Sequence, residues 1–149
     1  MATLISNYLT AGFDHKARKA IIKRAVNCLK IAKKKYKFKT IVFTGVSGAL
    51  FATTLADKLG VGLTVIRKPD DDTHSTYEIE GLVGVPYIIV DDFVYTGDTV
   101  KKIISDMAPD VCVGLYLWNP NADVEKPVIK QELGLDCLNL LEQTAGGQP

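Results

Sequence analysis

The run Pro86-Tyr87-Ile88-Ile89-Val90-Asp91-Asp92-Phe93-Val94-Tyr95-Thr96-Gly97-Asp98-Thr99 decides how this chain folds. Its first five residues are apolar and are followed by two acids, which reads as a strand buried on both faces. Residues 98–108 read as a helix that Pro109 ends. A strand, a Gly-containing turn and a helix N-terminus leave several backbone N–H groups free at the positive end of a helix dipole. That is an anion site suited to phosphate. Thr96 and Thr99 add hydroxyl donors, and Gly97 lets the backbone approach closely. The Asp91 and Asp92 carboxylates cannot hold a phosphate. They can accept hydrogen bonds from sugar hydroxyls or orient a hydrated metal ion. A phosphorylated sugar fits this order of groups; an acidic strand end with a capped helix and no ligand fits it as well.

Working outward, Thr40-Ile41-Val42-Phe43-Thr44, Leu63-Thr64-Val65-Ile66-Arg67 and residues 111–117 are further buried strands. Asp14 can cap a helix that runs to about Tyr36, whose apolar stripe is Ala17, Ile21, Ala25, Cys28, Leu29, Ala32 and Tyr36. Gly45-Val46-Ser47-Gly48 reads as a tight loop, and residues 49–59 as a helix stopped by Gly60. Residues 76–80 are a short strand or hairpin arm, and a short strand is expected near Val128. Strands alternating with helices imply right-handed crossovers, a parallel sheet covered on both faces, and ligands beyond the strand C-termini.

A length of 149 residues, 47% of them hydrophobic, fits one domain (1–149) and excludes wholesale disorder. No apolar run reaches a membrane span and no secretory pattern opens the chain, so a cytoplasmic location is expected. Cys28, Cys112 and Cys137 are odd in number and widely spaced, which reads as reduced thiols and not as a disulfide frame or zinc site. The net charge of +1 hides an asymmetry: residues 1–40 hold eleven Lys/Arg and one acid, Asp14. This is either a nucleic-acid-binding arm or one very basic helix on an acidic domain.

The run from Tyr87 to Thr99 resembles the signature of the type I phosphoribosyltransferases: an apolar strand, two acids, an apolar pair, then Thr-Gly-x-Thr/Ser. The resemblance extends over roughly residues 38–118. It implies the type I phosphoribosyltransferase fold, an α/β architecture with a Rossmann-like parallel sheet. A small hood would come from residues 1–13, from 119–149, or from both. It also implies transfer of a 5-phosphoribosyl group from 5-phosphoribosyl diphosphate (PRPP) to a nucleobase with release of pyrophosphate.

In that reading Tyr95, Thr96, Gly97, Asp98 and Thr99 hold the 5′-phosphate, although the Asp98 carboxylate must point away from it. Asp91 and Asp92 hold ribose hydroxyls or, through water, Mg2+. Gly45, Val46, Ser47 and Gly48 with Arg67 and Lys68 hold the diphosphate. Residues 69–81 resemble the family's mobile loop, with His74 and Ser75 in the lid and Tyr77 and Glu80 as catalytic candidates. The Asp70-Asp71-Asp72 run is either a magnesium lure or a solvated charge run. Phe93, Val94 and Trp118 are base-contact candidates; Trp118 can stack on a base or anchor the core. Arg67-Lys68 resembles adenine and orotate phosphoribosyltransferases, and Ser75-x-Tyr77 with Glu80-Gly81 resembles the adenine branch, so adenine is the first expectation and orotate the next. A homodimer is implied. The alternative is a PRPP-sensing regulator that meets RNA through the basic first helix and retains little catalysis.

Overall fold

Periodicity and local capping account for most of the elements in the computed structural model, which describes residues 1–68 and 76–141. A short α1 (Thr10–Phe13) precedes α2 (His15–Tyr36), which starts where the Asp14 carboxylate accepts the Ala17 N–H at 2.8 Å. Then come β1 (Thr40–Phe43), α3 (Gly45–Leu59), β2 (Gly62–Ile66), β3 (Ile79–Gly81), β4 (Tyr87–Asp91), α4 (Asp98–Met107), β5 (Cys112–Leu117) and α5 (Pro127–Gln131). Among the described residues no helix is long and apolar enough to cross a membrane. Among the described residues Cys28, Cys112 and Cys137 form no disulfide.

Two expectations are corrected. Residues 45–48 are the first turn of α3 and not a separate loop: Gly45 takes a left-handed φ of 66°, and the chain enters the helix at once. The strand expected near Val128 is α5. Pro127 sits in its first turn, where a missing N–H costs nothing, and two β-branched residues do not outweigh that.

The sheet order is β3-β2-β1-β4-β5, with β3 antiparallel to β2 and every other pair parallel. From β1 the chain crosses outward to β2 through α3, and from β4 it crosses the opposite way to β5 through α4. Right-handed crossovers in opposite directions put α3 and α4 on opposite faces. The core divides accordingly. One cluster packs Ile41, Ile88 and Val90 against Leu29 of α2 and Leu55 of α3. The other packs Val42 and Ile89 against Val100 and Ile103 of α4 and Ile129 of α5. The order of strand addition reverses between the adjacent parallel strands β1 and β4, which opens a crevice at their C-terminal ends.

The antiparallel edge depends on Gly81, at φ 134°, where a Cβ would lie 2.1 Å from the Leu63 carbonyl oxygen. Gly81→Ala is expected to cost about 3 kcal/mol or more, because backbone strain and a main-chain clash combine. A urea midpoint within 0.3 kcal/mol equivalents of wild type, to the order of ordinary additivity error, would contradict the close approach of β3 to β2.

Candidate active site

Three loops meet in the crevice. The loop after β4 carries Asp91 and Asp92, only 8% and 7% exposed. Asp91 Oδ1 accepts the Asp92 N–H at 2.9 Å and the Ser47 hydroxyl at 3.1 Å, and Asp92 Oδ1 accepts the Phe93 N–H at 2.8 Å. Burial pushes the Asp91 carboxyl up to about 7, and contact with the Asp92 carboxyl adds to the rise; the Asp92 N–H and the Ser47 hydroxyl only partly offset it. Two carboxyls side by side in a low-dielectric strand end are a place for hydroxyl donors or a hydrated cation.

Past the acids the chain turns at Gly97, whose φ of 86° lies in the left-handed region, and α4 begins at Asp98. The Asp98 N–H is taken by Thr96 Oγ1 at 3.3 Å. Among the described residues the N–H groups of Tyr95, Thr96, Gly97 and Thr99 have no acceptor within the protein. These are the donors an anion would use. Gly97 is also pressed from outside: a Cβ there would meet Leu133 at 3.3 Å.

Facing this turn, a cleft of about 310 Å³ is lined by Thr44, Arg67, Lys68, Asp98, Thr99 and Lys102, among others. The residue before α3, the end of β2 and the start of α4 therefore converge. The Lys68 ammonium lies 4.0 Å from the point where a Gly45 Cβ would stand. Arg67, which lines the cleft, is held by the Glu80 carboxylate at 3.2 Å and by the Tyr77 main-chain carbonyl at 3.0 Å, while the Tyr77 side chain is exposed and neither residue lines the cleft itself. Lys102 bridges Glu78 and Asp106. Asp98 lines the same cleft as Arg67, Lys68 and Lys102. His74, Ser75 and the acids 70–72 lie outside the described residues.

The base-contact candidates fall differently. Trp118 is 2% exposed, its indole N–H donates to the Ser47 carbonyl at 2.7 Å, and its ring lies 4.5 Å from that of Phe51. Of the two roles open to it, this conformation gives it the core anchor. The Val94 side chain is buried with α4. Phe93 stacks on Tyr95, centroids 5.8 Å apart, and Tyr95 is 69% exposed. Sequence reasoning missed Lys126, whose ammonium donates to the Val94 carbonyl at 3.1 Å and sits 5.5 Å from the Tyr95 ring. It comes from the tail, where nothing but proximity in space connects it to the loop. It missed Asn119 too, which donates to the Tyr8 carbonyl at 3.2 Å and ties residues 1–13 to the end of β5.

No protein-family model matches the sequence. Adenine phosphoribosyltransferase of Shewanella amazonensis is 28% identical over 137 residues, covering 76% of this chain and 75% of that protein. Among solved structures, adenine phosphoribosyltransferase of Saccharomyces cerevisiae, complexed with an imino-altritol bisphosphate and adenine, has a TM-score of 0.67 at 22% identity, covering 91% of this chain and 86% of that one. Orotate phosphoribosyltransferase of Mycobacterium tuberculosis has a TM-score of 0.61 at 18% identity, covering 88% and 73%. The chain has the type I phosphoribosyltransferase fold. In a phosphoribosyltransferase fold the buried acid pair and the Gly97 turn stand at the C-terminal end of β4, next to the point where the order of strand addition reverses. That position is what makes their local chemistry available to one ligand.

Proposed function

We propose that this chain is a phosphoribosyltransferase that moves the 5-phosphoribosyl group of PRPP onto a nucleobase nitrogen and releases pyrophosphate in nucleotide salvage, with adenine the favoured base and orotate the next. The observation that carries the reading is the Gly97 turn: amides of Tyr95, Thr96, Gly97 and Thr99 without acceptors among the described residues, in a turn that Phe93 and Val94 separate from two buried carboxyls. The likeness to adenine and orotate phosphoribosyltransferases points the same way.

In this reaction the bond from ribose C1′ to the diphosphate oxygen breaks and a bond from C1′ to the base nitrogen forms. The electron pair leaves with pyrophosphate, and the ribose passes through a cation-like state. The protein's work is to position and neutralise. The 95–99 turn fixes the 5′-phosphate, while Asp91 and Asp92 accept from the ribose hydroxyls. Gly45, Val46, Ser47 and Gly48 offer the N-terminus of α3 to the diphosphate, with Arg67 and Lys68 across the cleft. Magnesium suits the donor set, since it keeps most of its waters and takes one or two carboxylates plus substrate phosphates, which Asp91 and Asp92 would supply from the protein side. Bound there it would withdraw charge from the leaving group.

Residues 1–13 are the first choice for a hood. They are tied to Asn119 beside the crevice, and they present Leu4, Ile5 and Tyr8 to solvent, apolar surface that a flat base would cover. Residues after 119 would complete it, and Lys126 already touches the loop. The working form in this reading is a cytoplasmic homodimer.

The test is magnesium-dependent release of pyrophosphate from PRPP across a panel of bases. Turnover with adenine supports the proposal; silence with every base, in protein shown to be folded, rejects it. Asp92→Asn is expected to lower turnover about 10²–10³-fold, the usual loss when a preorganised electrostatic contact is removed. Unchanged turnover would remove Asp92 from the site.

A further inference from the structure

The basic first helix plays no part in the site above. Residues 10–60 contain two acids, Asp14 and Asp57, and neither is in an ion pair among the described residues. Asp14 is occupied as the cap of α2. Two of the cations have structural tasks: Lys33 donates to the Leu59 carbonyl at 2.6 Å and so caps α3, and Arg18 donates to the Gly12 carbonyl at 3.3 Å. Lys19, Lys23, Lys30, Lys34 and Lys58 are exposed, and among the described residues they have no carboxylate partner.

These five lysines edge a groove between α2 and α3. Two depressions, about 530 Å³ and 360 Å³, meet at Lys58. The floor of the larger one is apolar, with half-buried Ile22 and Val26. Lys19 and Lys23, and again Lys30 and Lys34, are four residues apart on one helix, a rise of about 6 Å. That spacing is comparable with the step between phosphates of an extended strand. The groove therefore offers repeated cations on its rim and an apolar floor set below them. A flat bilayer or a broad acidic surface would reach only the rim, whereas a thin polyanion can enter and lay sugar and base against Ile22 and Val26.

We propose that the α2–α3 groove is a docking surface for a single-stranded nucleic acid, held through its phosphates and without sequence preference. Like charges kept together without neutralising partners raise the energy of the folded state, and a polyanion that displaces their condensed counterions relieves it. No aromatic side chain lines the groove, so phosphate contacts dominate and the affinity is steep in salt. The surface is separate from the crevice and stands whether or not the chain transfers phosphoribosyl groups.

The test is fluorescence anisotropy of the full chain with labelled 20-nucleotide RNA and DNA strands over a salt series. Five neutralised phosphates give a log–log slope of about −3.5. Lys23→Gln/Lys58→Gln should flatten that slope by about 1.4. The control Lys130→Gln, on α5, should leave it unchanged. Equal binding of RNA and DNA supports phosphate recognition, and preference for RNA supports a strand whose 2′-hydroxyls also contact the groove. The proposal is overturned by any of three results: no binding at low salt, a slope the double variant does not change, or polyglutamate of equal charge competing as well as the strands do. Salt-sensitive self-association that the double variant abolishes would also overturn it, since the acidic half of another copy would then be the occupant. Circular dichroism and a melt check that the exposed Lys→Gln changes leave the fold intact.

Discussion

Asp91→Asn is expected to abolish most PRPP-dependent turnover, by at least about 10²-fold, and at the same time to stabilise the protein at neutral pH. The two effects share one cause. A carboxyl held at about 7 in the folded chain and at 3.8 when unfolded binds its proton more tightly in the folded state. The unfolded chain then holds fewer protons through this interval, so stability falls as pH rises from about 4 to about 7 and levels off above. Asparagine carries no charge to desolvate, and its Oδ1 can still accept from the Asp92 N–H and the Ser47 hydroxyl. The advantage of the variant is therefore near zero at pH 3.5 and grows to about 1–3 kcal/mol by pH 7.5, below the roughly 4 kcal/mol that three pKa units would give in full. Urea midpoints for both proteins at four pH values measure it. A difference that is constant with pH would mean that desolvation of Asp91 is not the source. In the proposed function hydroxyl donors or a cation arriving with substrate would favour the ionised form and offset this cost.

The second large effect is expected at Gly97. Gly97→Ala places a side chain at φ 86° and brings its Cβ to 3.3 Å from Leu133. The strain is about 1–3 kcal/mol, and the turn relaxes by rotating the amides that would face the phosphate. KM for PRPP should rise at least about 10-fold with a smaller change in kcat, because the turn binds a group that does not react. Gly84→Ala is the matched control. Gly84 also has a positive φ, 79°, but no atom lies within 4 Å of its Cβ, and it stands outside the crevice. A loss of stability in both variants with a rise in KM in Gly97→Ala alone assigns the turn to the phosphate. An equal KM in the two variants would remove it from that role.

Lys126 shows why part of the site escaped the sequence reading. Its contacts to Val94 and Tyr95 span 32 and 31 positions, and it is one tail lysine among several. Trp118 is similar: stacking on a base and anchoring the core ask for the same apolar surface, and only the placement of Phe51 and the Ser47 carbonyl separates them. Glu80 was readable as a candidate, but its ion pair with Arg67 needs β3 to fold back on β2, which a three-residue strand does not announce.

The features that the chain alone determined are those written in contiguous residues. The β4–turn–α4 segment has its buried strand, acid pair, left-handed glycine and helix start in order, and α2 has its Asp14 cap and apolar stripe; local backbone energetics and one-sided burial leave periods that can be read. Tertiary structure decided what depends on packing between distant segments: the Ser47–Asp91 hydrogen bond, the burial that lifts the Asp91 carboxyl, the convergence of Lys68 with the Gly45 turn, and the groove that α2 forms with α3. Desolvation and long-range contact are properties of neighbours in space, and one-dimensional spacing carries no record of them until the sheet brings those neighbours together.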